Sequence, residues 1–388
     1  MNSFKIGNLV QQPQGYKAFV PAKFPPSDNF LIPSSLMAKH TEAIRLLGKL
    51  DGVTQLLPDR DMFLLMFIKK DAASSSQIEG TQATIADAIE AGNREPRGSL
   101  PQDVDDIIHY ISALDYGLKR AEEFPFSLRF IRELHKTLMR DARATQFCYP
   151  GEFRKTQNWI GGTRPSNALF VPPPVDEMMQ ALSDLERFVY DNEQYPILIK
   201  AGLLHAQFET IHPFTDGNGR TGRMLITMFL WAQKLLELPV LYLSSYFRQH
   251  QDFYYERLNG YHRGQVFEWL DFFLEGIILT AESSIETCIK ITELRERDMR
   301  KVQSLGKTSA ESTMKILTNL FSMPIAGIAD IMEWTGFTAP GGYKAIERLV
   351  EMDILKPMAH QTSTYAKKWV YKDYLDLFTG ESEADQRI

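Results

Sequence analysis

The stretch His212-Pro213-Phe214-Thr215-Asp216-Gly217-Asn218-Gly219-Arg220-Thr221-Gly222-Arg223 constrains this chain more than any other, because it gathers a base, a carboxylate, flexible backbone and two guanidiniums into one short string. The apolar run Met224-Leu225-Ile226-Thr227-Met228-Phe229-Leu230-Trp231 follows directly and reads as a buried helix. A polar loop is therefore expected to end on a helix N-terminus inside the core. Unpaired backbone N–H groups and the positive end of the helix dipole favour a bound phosphate there. Gly217 and Gly219 let the main chain come close to a ligand, and Arg220 and Arg223 add charge-assisted contacts.

Each residue type has a task if a hydroxyl attacks the phosphate of a nucleotide. Such a transfer needs a base, a metal ligand and positive charge around the phosphates. His212 suits the base because its unperturbed pKa lies close to working pH, and Asp216 suits a hard cation such as Mg²⁺. Asn218 and Gly219 would supply a backbone cradle, and Arg220 and Arg223 would reach the outer phosphates. Taken in fragments the string stays ambiguous, since a histidine before proline is often a loop residue and Asp-Gly-Asn-Gly an ordinary turn or a partial calcium loop.

Taken whole, the string matches the Fic family signature, His-x-Phe-x-Asp/Glu-Gly-Asn-Gly-Arg-x-x-Arg, at every specified position, and Ala206-Gln207-Phe208-Glu209-Thr210-Ile211 before it also resembles that family. The resemblance implies transfer of AMP from ATP to a Ser, Thr or Tyr hydroxyl of a protein, with release of diphosphate. It makes His212 the base and Asp216 the Mg²⁺ ligand. It gives Gly217, Asn218, Gly219, Arg220, Thr221, Gly222 and Arg223 to the nucleotide, with Arg223 at the γ-phosphate. Phe214 is expected to be a core anchor. Other transferred groups (UMP, phosphocholine, phosphate) and removal of AMP occur in the family, and the motif leaves them open.

Upstream, Ser74-Ser75-Ser76-Gln77-Ile78-Glu79-Gly80-Thr81 lies between the apolar run Met62–Ile68 and a helix-like stretch from Ala83 to Ala91. Alone it reads as a solvated helix face or a turn at Gly80. Beside the Fic motif, Ser75-x-x-x-Glu79-Gly80 resembles the family's inhibitory signature, Ser/Thr-x-x-x-Glu-Gly/Asn. The resemblance implies that Glu79 pairs with Arg223, occupying the guanidinium meant for the γ-phosphate and repelling that phosphate.

A third segment runs from Tyr149-Pro150-Gly151-Glu152-Phe153-Arg154 through Asn158-Trp159-Ile160-Gly161-Gly162-Thr163-Arg164-Pro165 to Ala168–Pro174. Paired glycines between short apolar runs predict a β-hairpin. The resemblance makes it a flap over the active site, its tip at Gly161, Gly162 and Thr163, able to pair with an extended target segment. Tyr254 and Tyr255 resemble the aromatic pair that lines adenine in the family, although two tyrosines in a helix also serve packing. His262 matches no motif.

The fold class expected is mainly α: a Fic-type helical core with a β-hairpin flap, then a C-terminal winged-helix domain. The division expected is an extended arm at 1–36, a Fic domain at 37–302 with the inhibitory helix near 70–90, and a winged-helix-like domain at 303–388. Helices are predicted over 104–121, 127–139, 175–192 and 268–291, with a linker at 303–307. Beyond it, helices at 312–321, 327–335 and 343–352 and strands near 354–357 and 368–371 form the winged-helix pattern. From Gly306 to Ile388 nine Lys/Arg face eleven Asp/Glu, a balance that supplies little affinity for nucleic-acid phosphates. DNA binding by this module is therefore not favoured over oligomerisation or protein docking.

With 388 residues and 44% hydrophobic content the chain can bury a sizeable core, and its net charge of −6 argues against a nucleic-acid-coating surface. Cys148 and Cys288 stand far apart without metal-type neighbours, which fits a reducing compartment and gives no zinc signature. No leader and no membrane span is read, so a cytoplasmic location is expected. A homodimer and self-modification are compatible with the resemblance. Two function classes compete: an autoinhibited adenylyltransferase, and a DNA-binding regulator whose Fic domain binds nucleotide without robust transfer.

Overall fold

The computed structural model describes residues 4–25, 31–57, 60–91, 102–123, 126–140, 149–190, 195–358 and 367–379. Cys148, the end of the chain and the segment between the last two strands lie outside the described residues. The chain opens with strands β1 (Gly7–Gln11) and β2 (Lys17–Pro21), followed by helices α1 (Ser34–Thr54), α2 (Arg60–Ile78), α3 (Ile85–Ala91), α4 (Gln102–Glu123) and α5 (Leu128–Leu138). Then come α6 (Val175–Tyr190), α7 (Ile197–Ile211), α8 (Asn218–Ala232), α9 (Ser244–Gln249), α10 (Gln251–His262) and α11 (Val266–Gln303). The last part consists of α12 (Lys307–Leu320), β3 (Ile325–Gly327), α13 (Ile328–Thr335), α14 (Ala339–Glu351), β4 (Lys356–Pro357), β5 (Lys368–Val370) and α15 (Lys372–Thr379).

Helix α7 lies at the centre, because Leu198 to Ile211 leave it no water-facing stripe and every one of those residues is buried. A helix buried on every face, Lys200, His205 and Glu209 included, is a core helix. It packs on α6, α8, α10 and α11, while α1 lies along α11 and α4 crosses α2, α5 and α8. Among the described residues no helix is long and apolar enough to cross a membrane.

The arm is not merely extended. β1 and β2 pair antiparallel, with Leu9 opposite Phe19, and the Phe19 N–H continues the pairing onto the Val171 carbonyl. Pro13 falls in the turn of this hairpin and Pro21 at the last rung of its ladder, opposite Gly7, which reconciles both with paired strands. The flap, by contrast, contains a single antiparallel bridge, Ile160 to Phe170. Gly161 and Gly162 both take left-handed φ, and the Asn167 side-chain oxygen accepts from the Thr163 and Arg164 N–H groups, so side-chain bonds replace a ladder at the tip.

The predicted central helices stand, but α11 runs unbroken to Gln303, which confines the linker to Ser304, Leu305 and Gly306. Past it, α12, α13, α14 and an antiparallel sheet in the order β3-β5-β4 form a small helix-and-sheet unit. Helix α14 starts at Ala339, earlier than expected, because Pro340 is tolerated in a first turn. Strand β3 and helix α15 went unread in the sequence. The unit docks on α2: Phe63 meets Phe321 and Phe67 meets Phe378, each at 5.4 Å between ring centres.

Candidate active site

Helix α7 ends on His212, which adopts φ 48° and ψ 60°, a left-handed conformation that a side chain enters at a cost. That turn swings the chain so that α8 can begin only a few residues later. The loop between them is bolted down from three sides. The Phe214 ring is fully buried and stacks on His135 at 3.6 Å. Asn218 closes the loop on itself, its side-chain oxygen accepting from the Phe214 N–H and its amide donating to the Phe214 carbonyl, both at 2.8 Å. The third side comes from residues near the flap: Arg154 Nε and Asn158 Nδ2 both donate to the His212 carbonyl, at 3.0 and 3.1 Å.

His135 ties the far end. Its Nδ1 accepts from the Gly151 N–H at 2.9 Å, which leaves Nε2–H to donate to the Asp216 carbonyl at 3.0 Å. Burial pushes its pKa down to about 4, consistent with a neutral ring. Neither His135 nor Arg154 was singled out from sequence; buried side chains that hold another segment's carbonyls leave no local pattern. Replacing Phe214 by alanine is expected to cost about 3–5 kcal/mol, as for other buried phenylalanines, and denaturant unfolding of the variant would measure it.

Helix α8 starts at Asn218, six residues before the apolar run, so Asn218 to Arg223 are helical rather than loop. Gly217 precedes it in a left-handed conformation, φ 74°, as an N-cap. The N–H groups of the first turn then point out of the helix end, where a phosphate would sit. A methyl group at Gly219 would collide with the Glu79 carboxylate and one at Gly222 with that of Glu209, so both glycines mark close approaches. Thr221 donates to the Gly217 carbonyl at 2.8 Å, a bond internal to the helix start.

The two arginines differ. Arg220 contacts Asp106 at 3.4 Å and leaves its Nε without a partner. Arg223 is held on one side of its guanidinium: Nε donates to Ser75 Oγ at 2.8 Å, and Nη2 donates to the Ser75 carbonyl at 2.9 Å and to Glu79 Oε1 at 2.8 Å. Ser75 lies on α2, and Glu79 just past the helix end, where Gly80 turns the chain at φ 97°. Met62 to Ile78 thus form one helix, not an apolar run and a separate polar stretch. Burial alone would raise the Glu79 carboxyl, but the Arg223 guanidinium outweighs it and holds the group below the usual carboxylate range. The pair is lopsided, the Arg223 side chain 2% exposed and that of Glu79 40%.

His212 lies in the same place, its pKa pushed down to about 4 by burial and the Arg154 guanidinium, with Glu79 opposing. It is therefore neutral near pH 7 and able to accept a proton. Glu209 Oε2 stands 3.8 Å from His212 Nδ1, and burial pushes its carboxyl up to about 8. Asp216 sits at the exposed mouth, its Oδ1 accepting from the Gly217 N–H at 2.7 Å. Among the described residues no group of three His, Cys, Asp or Glu side chains could hold a metal alone. One exposed carboxylate beside a phosphate site still fits Mg²⁺, which draws most of its ligands from phosphates and water.

This catalytic-type geometry falls within two stretches that match family profiles: residues 125–230 match the Fic/DOC family and residues 37–119 its N-terminal region, Fic/DOC family N-terminal. The chain belongs to the Fic/DOC family. It is 28% identical over 193 residues to a probable protein adenylyltransferase of Aquifex aeolicus, an overlap of 48% of this chain and 54% of that protein. It is also 28% identical over 138 residues to the protein adenylyltransferase Fic-1 of Caenorhabditis elegans, covering 34% of this chain and 25% of the relative. The chain thus spans about half the length of the first relative and a quarter of the second. Among solved structures, a Fic family protein of Desulfovibrio desulfuricans superposes with a TM-score of 0.57 at 17% identity, covering 89% of this chain and 98% of that one, a likeness of fold.

The structure brings Glu79 against Arg223, 144 positions further on, which is the pairing the resemblance implies, and adds Ser75 contacts that were not expected. The aromatic pair divides. Tyr254 is buried, donates to His205 Nε2 at 2.9 Å and stacks on Phe247, a packing role. His205 in turn donates from Nδ1 to the Gly222 carbonyl at 3.0 Å, so Tyr254 steadies α8 at one remove. Only Tyr255 reaches the surface, its hydroxyl 3.4 Å from the Ile78 carbonyl beside Glu79. Gly161, Gly162 and Thr163 lie exposed at the flap tip.

Proposed function

We propose that this Fic protein is an autoinhibited protein adenylyltransferase, transferring AMP from ATP to a Ser, Thr or Tyr hydroxyl of a target protein or of itself and releasing diphosphate. The observation that carries the reading is the capture of Arg223 by Ser75 and Glu79 within reach of a neutral, intact His212. His212 takes the proton of the incoming hydroxyl, whose oxygen attacks the α-phosphate. The first N–H groups of α8 and Arg220 hold the phosphates, and Arg223, once released, holds the γ-phosphate. Asp216 would hold Mg²⁺, which supplies charge neutralisation between phosphates when bound. Tyr255 would flank the base, and the flap tip would pair with the target.

The default state is off. A γ-phosphate entering the present site would meet the Glu79 carboxylate where it needs the guanidinium, so ATP would be held in an unproductive pose. Full-length protein and Glu79→Gly, each incubated with α-labelled or γ-labelled ATP, Mg²⁺ and a cell lysate, test the reading. Protein label from the α-phosphate alone supports AMP transfer, whereas label from the γ-phosphate alone would establish kinase chemistry.

The unit from α12 to α15 supports a winged-helix reading, with a division into 1–36, 37–302 and 303–388. The competing function, a DNA-binding regulator that merely senses nucleotide, needs a basic face. Helix α14 carries Lys344 and Arg348 against Glu347 and Glu351, so its charges cancel. The full chain is expected to leave a DNA duplex unshifted at low salt; a shift with a steep salt dependence would favour the regulator. The chemistry proposed is compatible with a cytoplasmic, homodimeric protein.

A further inference from the structure

A second groove opens beside the flap, and the sequence offered no role for it. It holds about 680 Å³ between the N-terminal hairpin, the return arm of the flap and the end of α10. Leu9 and Phe19 are directly paired across the hairpin, so their side chains share one face. Phe19 turns into the molecule, where Phe170 stacks on His262 at 3.9 Å with Phe19 beside both. These three rings form an apolar floor.

The lips are apolar too and face water: Leu9 is 64% exposed and Leu169 83%. Isolated exposed leucines need no explanation, but two lining one groove over an aromatic floor make a patch that a partner would cover. The charge of the rim is one-sided. Lys5 and Arg263 line the groove, and among the described residues no carboxylate does, in a chain whose net charge is −6.

The floor of the groove is tied through the core to the helix that carries the base. His262 Nε2 lies 3.0 Å from Thr210 Oγ1, two residues before His212 on the same chain. β2 bonds through Phe19 to Val171, so the hairpin and the flap form one continuous border around this side of the site.

We infer that this groove is a docking site for the protein substrate, and that it selects an extended segment presenting a large apolar side chain flanked by Asp or Glu. The apolar residue enters between Leu9 and Leu169, and the carboxylates meet Lys5 and Arg263. The flap would fix the strand carrying the hydroxyl, and the groove would choose which protein supplies it. This inference rests on the proposed AMP transfer for its function, and on the groove alone for its binding.

Two synthetic peptides with one acceptor hydroxyl and one leucine, differing only in Glu-Glu or Lys-Lys flanks, test it with full-length Glu79→Gly and α-labelled ATP. The acidic peptide should be labelled with roughly 10-fold higher kcat/KM, a preference that fades with added salt. Lys5→Glu combined with Arg263→Glu should invert the ratio, and Leu169→Asp should raise KM for the acidic peptide. Equal labelling of the two peptides, or a preference untouched by the charge reversal, would overturn the inference, as would a Leu169→Asp effect confined to the protein's oligomeric state. If no α-label reaches any protein or peptide, the AMP-transfer reading fails. Fluorescence anisotropy of the two peptides on the same full-length proteins then still decides the groove: tighter acidic binding that inverts with the charge reversal upholds it, and equal binding rejects it.

Discussion

Glu79→Gly is expected to raise self-labelling from α-labelled ATP by one to three orders of magnitude. The Arg223 guanidinium is held by three hydrogen bonds, one of them to a carboxylate, and the variant removes that bond and its charge together. The backbone tolerates the change, and its cost to stability lies in the buried charge it unpairs. Glu79 lies beyond the last turn of α2, its side chain 40% exposed, so no cavity forms, and Ser75 keeps two bonds to the arginine. The arginine is left without a counter-ion in a site 2% exposed, which a triphosphate would supply. A well-folded variant with an unchanged or lower rate would show that the contact does not restrain the enzyme.

His212→Ala, introduced into the Glu79→Gly protein, should lower AMP transfer about 10²- to 10⁴-fold, the usual worth of a general base, while ATP binding measured by calorimetry stays nearly the same. Nothing in the phosphate cradle depends on the imidazole. The loop is held through the His212 carbonyl, by Arg154 and Asn158, and the backbone remains in the variant. The pH profile offers a second view. A base must be unprotonated to act, and burial with Arg154 pushes this one down to about 4. The rate governed by His212 should therefore stay level from pH 8 to pH 5 and fall as pH drops through about 4. Label transfer that survives His212→Ala would assign the base elsewhere.

How much of this could be read from sequence depended on whether the residues concerned are neighbours in the chain. His212 to Arg223 fold as one turn and one helix start, so their order is their geometry. Ser75 and Glu79 sit one helical turn apart, and the motif carried Glu79 to Arg223 although no spacing rule could. What stayed hidden are the residues that hold backbone from afar. His135, Arg154 and Asn158 bind carbonyls of the catalytic loop, a task any long donor can do and none advertises. The hairpin at Gly7–Pro21 stays hidden because Pro13 in its turn and Pro21 at its last rung read as an extended arm, and Tyr254 reads as a nucleotide residue because stacking and packing use the same ring. The flap was overread, since paired glycines predict a turn but not the ladder beneath it.

The bond between Glu79 and Arg223 joins two parts of one chain, and this sets how it responds to abundance. An inhibitor supplied by a second molecule falls away as both are diluted. A tethered carboxylate presents itself at a local concentration fixed by α2 and the turn at Gly80, the same in a crowded cell and in a dilute assay tube. If this contact restrains the enzyme as proposed, changing the number of copies leaves the fraction of restrained molecules where it was. Only an event that acts on the chain itself, by moving that helix end or by outcompeting its carboxylate, shifts the balance.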